Sequence, residues 1–450
     1  SGWNGLVKLS ENTSDSAKGM TSHITSDYNT GWMNGDIKLA TLSDTDDTDL
    51  VGSELVTNGT FDTDISGWSS FRGASISYNS SSNALTLSIP DPSDWAGAYQ
   101  AVSTVVGKTY FVTGEVVDNP SGHAMTLFKS DNSASHVNLV WTQGNTSPNV
   151  FSMFFTATST TSYIGISSKD GAGTSAVVSI DNVSVRLAEP DRSVNNNGLQ
   201  VFGTVQKNPV ATGADLVSYG FVSGSYLEQP FNSDLDFGTG DFCIMGWLNT
   251  TDSYGIILDR NSTSGASLGG LSLGTYPRAV NGLDFSVQNN FTLSSTVAVN
   301  TGSWVSFVCV RRSGIVEMWI NGELNNTVAS TTDINSGSAN PTTKFGARHD
   351  GAQSLQGLIS LLRISATAPT AEQIKKIYED EKVLFQENAQ ATLYGTSDAV
   401  TALAYDEDTE LLHVGTSAGR SVFQGLRRVD NTTDAVGTAI SASNNLVVEE

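Results

Sequence analysis

Apolar residues in this chain recur mainly at every second position, in short runs separated by polar turn clusters. In Tyr110-Phe111-Val112-Thr113-Gly114-Glu115-Val116 the alternation is direct, and Asp118-Asn119-Pro120-Ser121-Gly122 ends it. A period of two is the signature of a strand with one buried face. Further strands are predicted at Leu85–Ile89, Ala98–Ser103, Met125–Lys129, Phe151–Ala157, Ser162–Ile166 and Val177–Val185. Short strands at this spacing build two-sheet sandwiches. One helix interrupts the pattern near residues 370–382. Thr370 and Gln373 are spaced as a capping box, and Ile374, Ile377 and Tyr378 supply its apolar face. The chain therefore reads as all-β with one short helix.

Shifts in pattern divide it further. Residues 1–52 mix strand-like pieces with turns and end in the acidic run Asp44–Asp49, read as a solvated linker. A first module spans 53–188. Residues 189–198 (EPDRSVNNNG) make a linker, rich in Asn with Pro and Gly. A second module spans 199–385, and residues 391–450 form a last segment of strand–turn repeats.

Composition narrows the function. With 46 acidic against 23 basic residues, the formal charge of −23 argues against nucleic acid as a ligand, because phosphate binding needs a basic face. It disfavours anionic lipid and is compatible with calcium binding. No apolar run approaches the roughly 20 residues of a membrane helix. Residue 1 is Ser and no signal segment follows, so the expectation is a mature, cleaved or excerpted form. Two cysteines, Cys243 and Cys309, are no disulfide framework. They lie on separate predicted strands, and both pairing and two free buried thiols stay open.

Two quoted runs carry a resemblance for the first module. Glu54–Trp68 (ELVTNGTFDTDISGW) and Ile180–Val185 (IDNVSV) resemble the opening and closing strands of carbohydrate-binding modules of the β-jelly-roll type. The resemblance implies a structural calcium ion near the first and last strands, with Asp62, Asp181 and Asn182 as ligands. Asn182 stands where the family usually has a second acidic residue, which removes one charge from the set. In the second module DFCIMGWL (241–248), SWVSFVCV (303–310), VEMWINGEL (316–324) and GLISLLRI (357–364) resemble the laminin-G/concanavalin-like lectin fold. AYDEDTELLHVGTSAG, from residue 404, resembles a β-propeller blade. The fold expectation is thus two jelly-roll sandwiches in tandem, with propeller-like or assembly segments at both ends. Taken together, phrases such as YNTGWMNGDIKLATLSDTD and GTSAGRSVFQGLRRV resemble tail-fibre or tail-associated proteins of marine bacteriophages. That resemblance implies a virion tail or extracellular surface location. It implies host surface polysaccharide as ligand, and as partners other copies of the chain, a trimer favoured, and other tail proteins.

The candidate chemistry is mainly that of binding. Sugar recognition uses aromatic planes flanked by amide and carboxylate groups. Trp95 and Tyr99 in DPSDWAGAYQ lead, followed by Trp141 with Gln143 and Asn145. In the second module Arg348 and Asp350, with His349, Asp259 and Arg260, are further candidates. Trp68, Trp247, Trp304 and Trp319 read as core. Gly415-Thr416-Ser417-Ala418-Gly419 matches G-x-S-x-G, but strand-like residues follow it rather than a helix, so it reads as a turn. The five His are scattered without metal-ligand spacing. Glycosidases need only two carboxylates and leave no short motif; Glu317 in VEMWI stands alone. The expectation is non-catalytic glycan binding, with a purely structural filament component and a glycan-degrading enzyme as alternatives.

Overall fold

The computed structural model describes residues 6–9, 20–23, 33–90, 96–120, 125–131, 138–143, 149–168, 175–193, 195, 197–261, 270–276, 280–287, 290–335, 341–390, 400–425, 427–434, 440–441 and 447–448. Its regular structure is nearly all β-strand, with one α-helix at Ala371–Glu381 among these residues. Two compact units form. One comprises Val51–Glu189 with Gly198–Phe202, the other Ser1–Leu50, Pro190–Asn197 and Gly203–Glu450.

The unit built on Val51–Glu189 is a sandwich of antiparallel sheets. One sheet orders its strands Asn138–Gln143, Met125–Ser130, Thr161–Ser168, Ala96–Ser103 and Ser69–Phe71. The other orders Asn149–Thr156, Thr109–Asp118, Ala176–Glu189, Ala84–Ile89 and Ser75–Asn79. Alternation decides what lies between them. Ala98, Leu127, Ile164 and Ile166 from the first sheet meet Leu85, Val112, Met153 and Ile180 from the second in one core. Trp68 fills that core against Phe61, at a ring separation of 5.5 Å, as a core Trp should. The two sequence runs that mark this module also touch. The Glu54 carboxylate accepts from the Val185 N–H at 2.8 Å and the Ser184 hydroxyl at 2.7 Å. The Val183 N–H donates to the Gly59 carbonyl at 2.9 Å.

The second unit holds another sandwich. One sheet orders Val217–Phe221, Gly357–Ser365, Phe242–Thr250, Val305–Arg312, Ile315–Ile320 and Glu323–Ala329. The opposing sheet orders Tyr226–Gln229, Thr343–Phe345, Ile256–Arg260, Leu271–Tyr276, Gly282–Val287 and Phe291–Ser294. Although the sequence sets residues 1–52 apart, Ile37–Thr41 is a strand of this sandwich, with Leu39 opposite Ile364. The acidic run after it is anchored at its first residue, where Asp44 accepts from the buried Lys207 ammonium at 2.7 Å. Arg311, fully buried, donates to the carbonyls of Gly240, Gly238 and Thr332 at 2.6–2.7 Å and closes the end of the core beside Phe242. Burial holds its guanidinium below the usual arginine value, against the opposing pull of the Asp241 and Asp333 charges.

The helix covers the outer face of the first of these sheets. Its capping box is present: Thr370 Oγ1 accepts from the Gln373 N–H, and Gln373 Oε1 accepts from the Thr370 N–H. Ile374 and Ile377 pack on Trp247, Met245 and Val308. At its C-terminal end Glu381 accepts from Trp247 Nε1 at 2.7 Å and pairs with Arg363 at 2.5 Å. Both charged residues are 1% exposed. Phe385 stacks on the Trp247 ring at 4.2 Å.

Farther along, Val400–Asp406, Leu411–Thr416, Gly419–Gln424 and Arg427–Thr432 make a four-stranded antiparallel sheet with a small core of Leu412, Val414 and Phe423. Ser417 lies in the hairpin that joins two of its strands, where Thr416 pairs with Gly419. The G-x-S-x-G run is therefore a turn.

The register settles the cysteines. Ile244 is opposite Cys309 and Cys243 is opposite Val310, so the thiols leave neighbouring strands on opposite faces of one sheet. Both are free and buried, and burial pushes each well above the usual thiol range. A thiol reagent should therefore find no reactive group in the native protein and two after denaturation, with or without reductant. Glu381→Ala strands the Arg363 guanidinium in the interior and should cost about 3–5 kcal/mol in denaturant unfolding. Lys375→Ala, which breaks an exposed pair with Glu323, should cost less than about 1 kcal/mol.

Candidate functional site

In the unit built on Val51–Glu189, one side of the first sheet faces the core and the other carries a row of rings. Tyr99 is opposite Gly165, and Gly165 is opposite Phe128. Tyr163 and Phe71 lie on the same outward side, by alternation within their strands. The rings form a chain of edge-to-face contacts, Tyr163 to Tyr99 at 5.8 Å, Tyr99 to Phe71 at 6.0 Å and Phe71 to Phe128 at 5.5 Å. Such pairs hold one another in place and leave ring faces half exposed. Gly165 makes the arrangement feasible, because a Cβ there would come within 2.5 Å of the Phe128 ring. Phe128 is buried, while Phe71, Tyr99 and Tyr163 are partly open to solvent.

Of the residues expected here, Tyr99 belongs to this row. Trp141 and Gln143 lie on the neighbouring edge strand Asn138–Gln143, Trp141 opposite Leu127; their side chains, with Trp95 and Asn145, lie outside the described residues. Phe71 and Tyr163 are not among the residues expected from the sequence. The available signal was their alternation with core residues: Tyr163 stands between Ser162 and Ile164, so its ring must leave the core side.

The residues expected to hold calcium come together in part. The strand Ala176–Glu189 shifts register against Thr109–Asp118 between Ser184 and Asp181. Asn182 sits in that bulge with φ of 53°, a left-handed conformation that Asn tolerates. Its amide donates to Glu115 Oε1 at 2.7 Å, and its backbone N–H donates to Asp181 Oδ1 at 2.7 Å. Asp62 accepts from the Thr60 hydroxyl at 2.8 Å. Burial raises the Asp181 carboxyl above its usual value, the bond from Asn182 opposes this, and the negative charges of Glu115 and Asp62 add to it. Among the described residues no three His, Cys, Asp or Glu side chains meet as metal ligands. Asp62, Asp181 and Glu115 form a repelling carboxylate group with its amide partner rather than a closed cage.

In the other unit, the sheet containing Ile256–Arg260 has one apolar and one polar side. Leu227, Phe345, Leu258, Leu273, Phe285 and Leu293 stand in register across it and are buried. One position along, Glu228, Lys344, Asp259, Ser272, Ser286 and Thr292 make an equally continuous polar row. The loop 346–356 folds over one end of this side. Asp259, 1% exposed, accepts from both the backbone N–H and Nδ1 of His349 at 2.7 Å. Arg348 and Asp350 pair with each other, Nε to Oδ1 at 2.9 Å. That pair holds the Asp350 carboxyl well below its usual range. Arg260 projects to the other side and pairs with Asp236 at 2.6 Å. Glu317 is engaged by Arg312 at 3.0 Å and by Trp319 Nε1 at 2.8 Å, a structural role.

No helix among the described residues is long and apolar enough to cross a membrane. None of the curated proteins matches the chain. Among solved structures, one similar to it is domain 4 of AbnA, a GH43 extracellular arabinanase from Geobacillus stearothermophilus, in complex with arabinotriose. It is 17% identical, over 39% of this chain and 82% of that one, with a TM-score of 0.30. The binding domain of botulinum neurotoxin DC in complex with SialylT is 17% identical over 58% of this chain and 66% of its own length, with a TM-score of 0.32. A structure described as "CBM4 structure and function" is 20% identical over 29% of this chain and 99% of its own length, with a TM-score of 0.26. Residues 223–375 match the family described as the concanavalin A-like lectin/glucanases superfamily, a span that holds Asp259, Glu317 and the Arg348–Asp350 pair.

Proposed function

We propose that the chain binds carbohydrate without cleaving it, through the ring row Phe71, Tyr99 and Tyr163, backed by the buried Phe128. The observation that carries this reading is the position of those rings. They stand on the side of the sheet turned away from the core, where packing of the sandwich does not require them. Apolar ring faces match the C–H surfaces of pyranoses, and tyrosine hydroxyls add donors and acceptors. The lectin/glucanase match leaves both binding and hydrolysis open by its wording. Binding is favoured because Glu317, the isolated strand carboxylate, is occupied by Arg312 and Trp319.

The finer reading rests on the sequence resemblance to phage tail proteins. In it the chain is a receptor-binding component of a tail fibre or similar extracellular appendage. It contacts host surface polysaccharide in several copies, a trimer favoured, beside other tail proteins. Repetition of weak sites would raise the overall affinity without new contacts. Calcium at Asp62, Asp181 and Asn182 belongs to the same reading, and the mutual repulsion at Asp181 is what a cation would relieve.

Polysaccharide pulldown and glycan arrays test the binding. Tyr99→Ala and Tyr163→Ala should each weaken retention about tenfold, near 1.4 kcal/mol per lost ring contact. A wild-type chain of intact fold that no glycan retains would remove the reading. For the ion, the sign follows from the raised Asp181 carboxyl. Its contribution to stability is fully present below about pH 3.9 and is lost as pH rises through the folded-state value. Asp181→Asn should therefore raise the melting temperature at pH 7 without calcium, and that gain should vanish near pH 3. Millimolar calcium should raise the melting temperature of the wild type and not that of Asp181→Asn; equal shifts in both would exclude the ion from this place.

A further inference from the structure

The polar side of the Ile256–Arg260 sheet ends in a second group of rings and charges that the ring row does not use. Tyr254 is 46% exposed, and its ring meets Tyr276 edge-on at 5.1 Å and 81°. Tyr276 belongs to the polar side by alternation with Ser272 and Gly274. The loop 346–356 lies alongside: the Ile256 N–H donates to the Gln353 carbonyl, and the Gly346 N–H donates to the Ile257 carbonyl.

The surrounding backbone is held in place before any ligand arrives. Asp252 accepts from the Tyr254 N–H at 2.9 Å with one oxygen and from the Gln356 N–H at 3.1 Å with the other, tying the two loops together. The Arg348 N–H donates to the Ala352 carbonyl at 2.9 Å, and His349 is fixed by the buried Asp259. A site ordered in advance loses less entropy on binding.

Its charges are compensated in pairs. Arg348 and Asp350, each with a side chain 39% exposed, face each other at the rim. Lys344 pairs with Glu228 at 3.3 Å and lies over the Tyr226 ring at 4.3 Å. Asp259 and Asp284 are buried carboxylates on the same side of the sheet, and the charge of each acts on Tyr276. An incoming carboxylate or sulfate would have to displace Asp350 from Arg348 and approach further negative charge, in a chain whose formal charge is −23. A neutral polyol meets neither penalty. The guanidinium has five N–H groups and spends two on Asp350. The remaining N–H groups and the carboxylate lone pairs suit adjacent hydroxyls, beside a ring that can stack.

We propose that Tyr254, Tyr276 and the Arg348–Asp350 pair form a second saccharide site, separate from the ring row and selective for uncharged sugars. The experiment uses the full chain with Tyr99→Ala and Tyr163→Ala combined, which disables the ring row. Probes are neutral polysaccharides (mannan, galactan, arabinan, amylopectin) and acidic ones (alginate, polygalacturonate, carrageenan). Retention on at least one neutral probe is expected, changing less than about twofold between about 50 and 500 mM NaCl. Adding Tyr254→Ala, or Arg348→Gln with Asp350→Asn, should lower that retention about tenfold. Tyr254→Phe keeps the ring and should retain binding within about threefold, which separates loss of the contact from loss of fold. Binding to acidic probes alone with steep salt dependence would overturn the proposal. So would indifference to Tyr254→Ala, or no binding once the ring row is disabled. This last result leaves the ring row standing as the one saccharide site.

Discussion

Successive side chains of a strand point to opposite faces, so each hydrogen-bonded register in this chain commits whole rows of residues at once. The row Leu227, Phe345, Leu258, Leu273, Phe285 and Leu293 lines the core, and the next row, Glu228 to Thr292, faces away from it, where the loop 346–356 covers Asp259. The same rule turns Tyr99 and Tyr163 outward once Ala98 and Ile164 are taken into the core. Slipping the sheet of Ile256–Arg260 by one residue would turn the charged side chains into the apolar core and the leucines out of it. Register is thus the constraint from which both candidate sites and both cores follow.

Polar groups inside the sandwiches are tolerated where they find partners. Arg363 meets Glu381, Arg260 meets Asp236, Lys207 meets Asp44, and Arg311 takes three carbonyls. Each joins elements distant in sequence: the helix to its sheet, the N-terminal segment to the strand Leu199–Pro209, the strand Val305–Arg312 to the loops at the end of the core. Breaking one side of such a pair is costly, so they hold the arrangement even where their net contribution to stability is small. The acidic excess stays on the surface, where it works against anionic ligands.

Two surfaces of different character result. The ring row is apolar with hydroxyl edges, and it owes its shape to Gly165, which gives the Phe128 ring room to lie across the sheet. The polar side of the other sandwich combines paired charges with a single exposed ring pair. Both suit hydroxyl-rich ligands, one through stacking and the other mainly through hydrogen bonding.

Local signals were legible from the residues alone. The all-β class followed from alternation, and the helix from the spacing of Thr370 and Gln373. The hairpin at Ser417 followed from its flanking glycines and the strand after them, and the placement of Trp247 in a core from its strand. These depend on a few neighbouring residues, whose conformational preferences the chain carries with it. What depended on distant pairing was not legible. Ile37–Thr41 could not be assigned to the sheet of Gly357–Ser365, since nothing in five residues names a partner more than three hundred positions away. Alternation turns Tyr163 off the core side, but that Phe71, Tyr99 and Tyr163 meet in one row needed the assembled sheet. The opposite facing of Cys243 and Cys309 needed a register known to one residue. The amino-acid order determines that strands form and which of their sides is apolar. Only the assembled sheets decide which strands meet, and so which rings and charges share a surface.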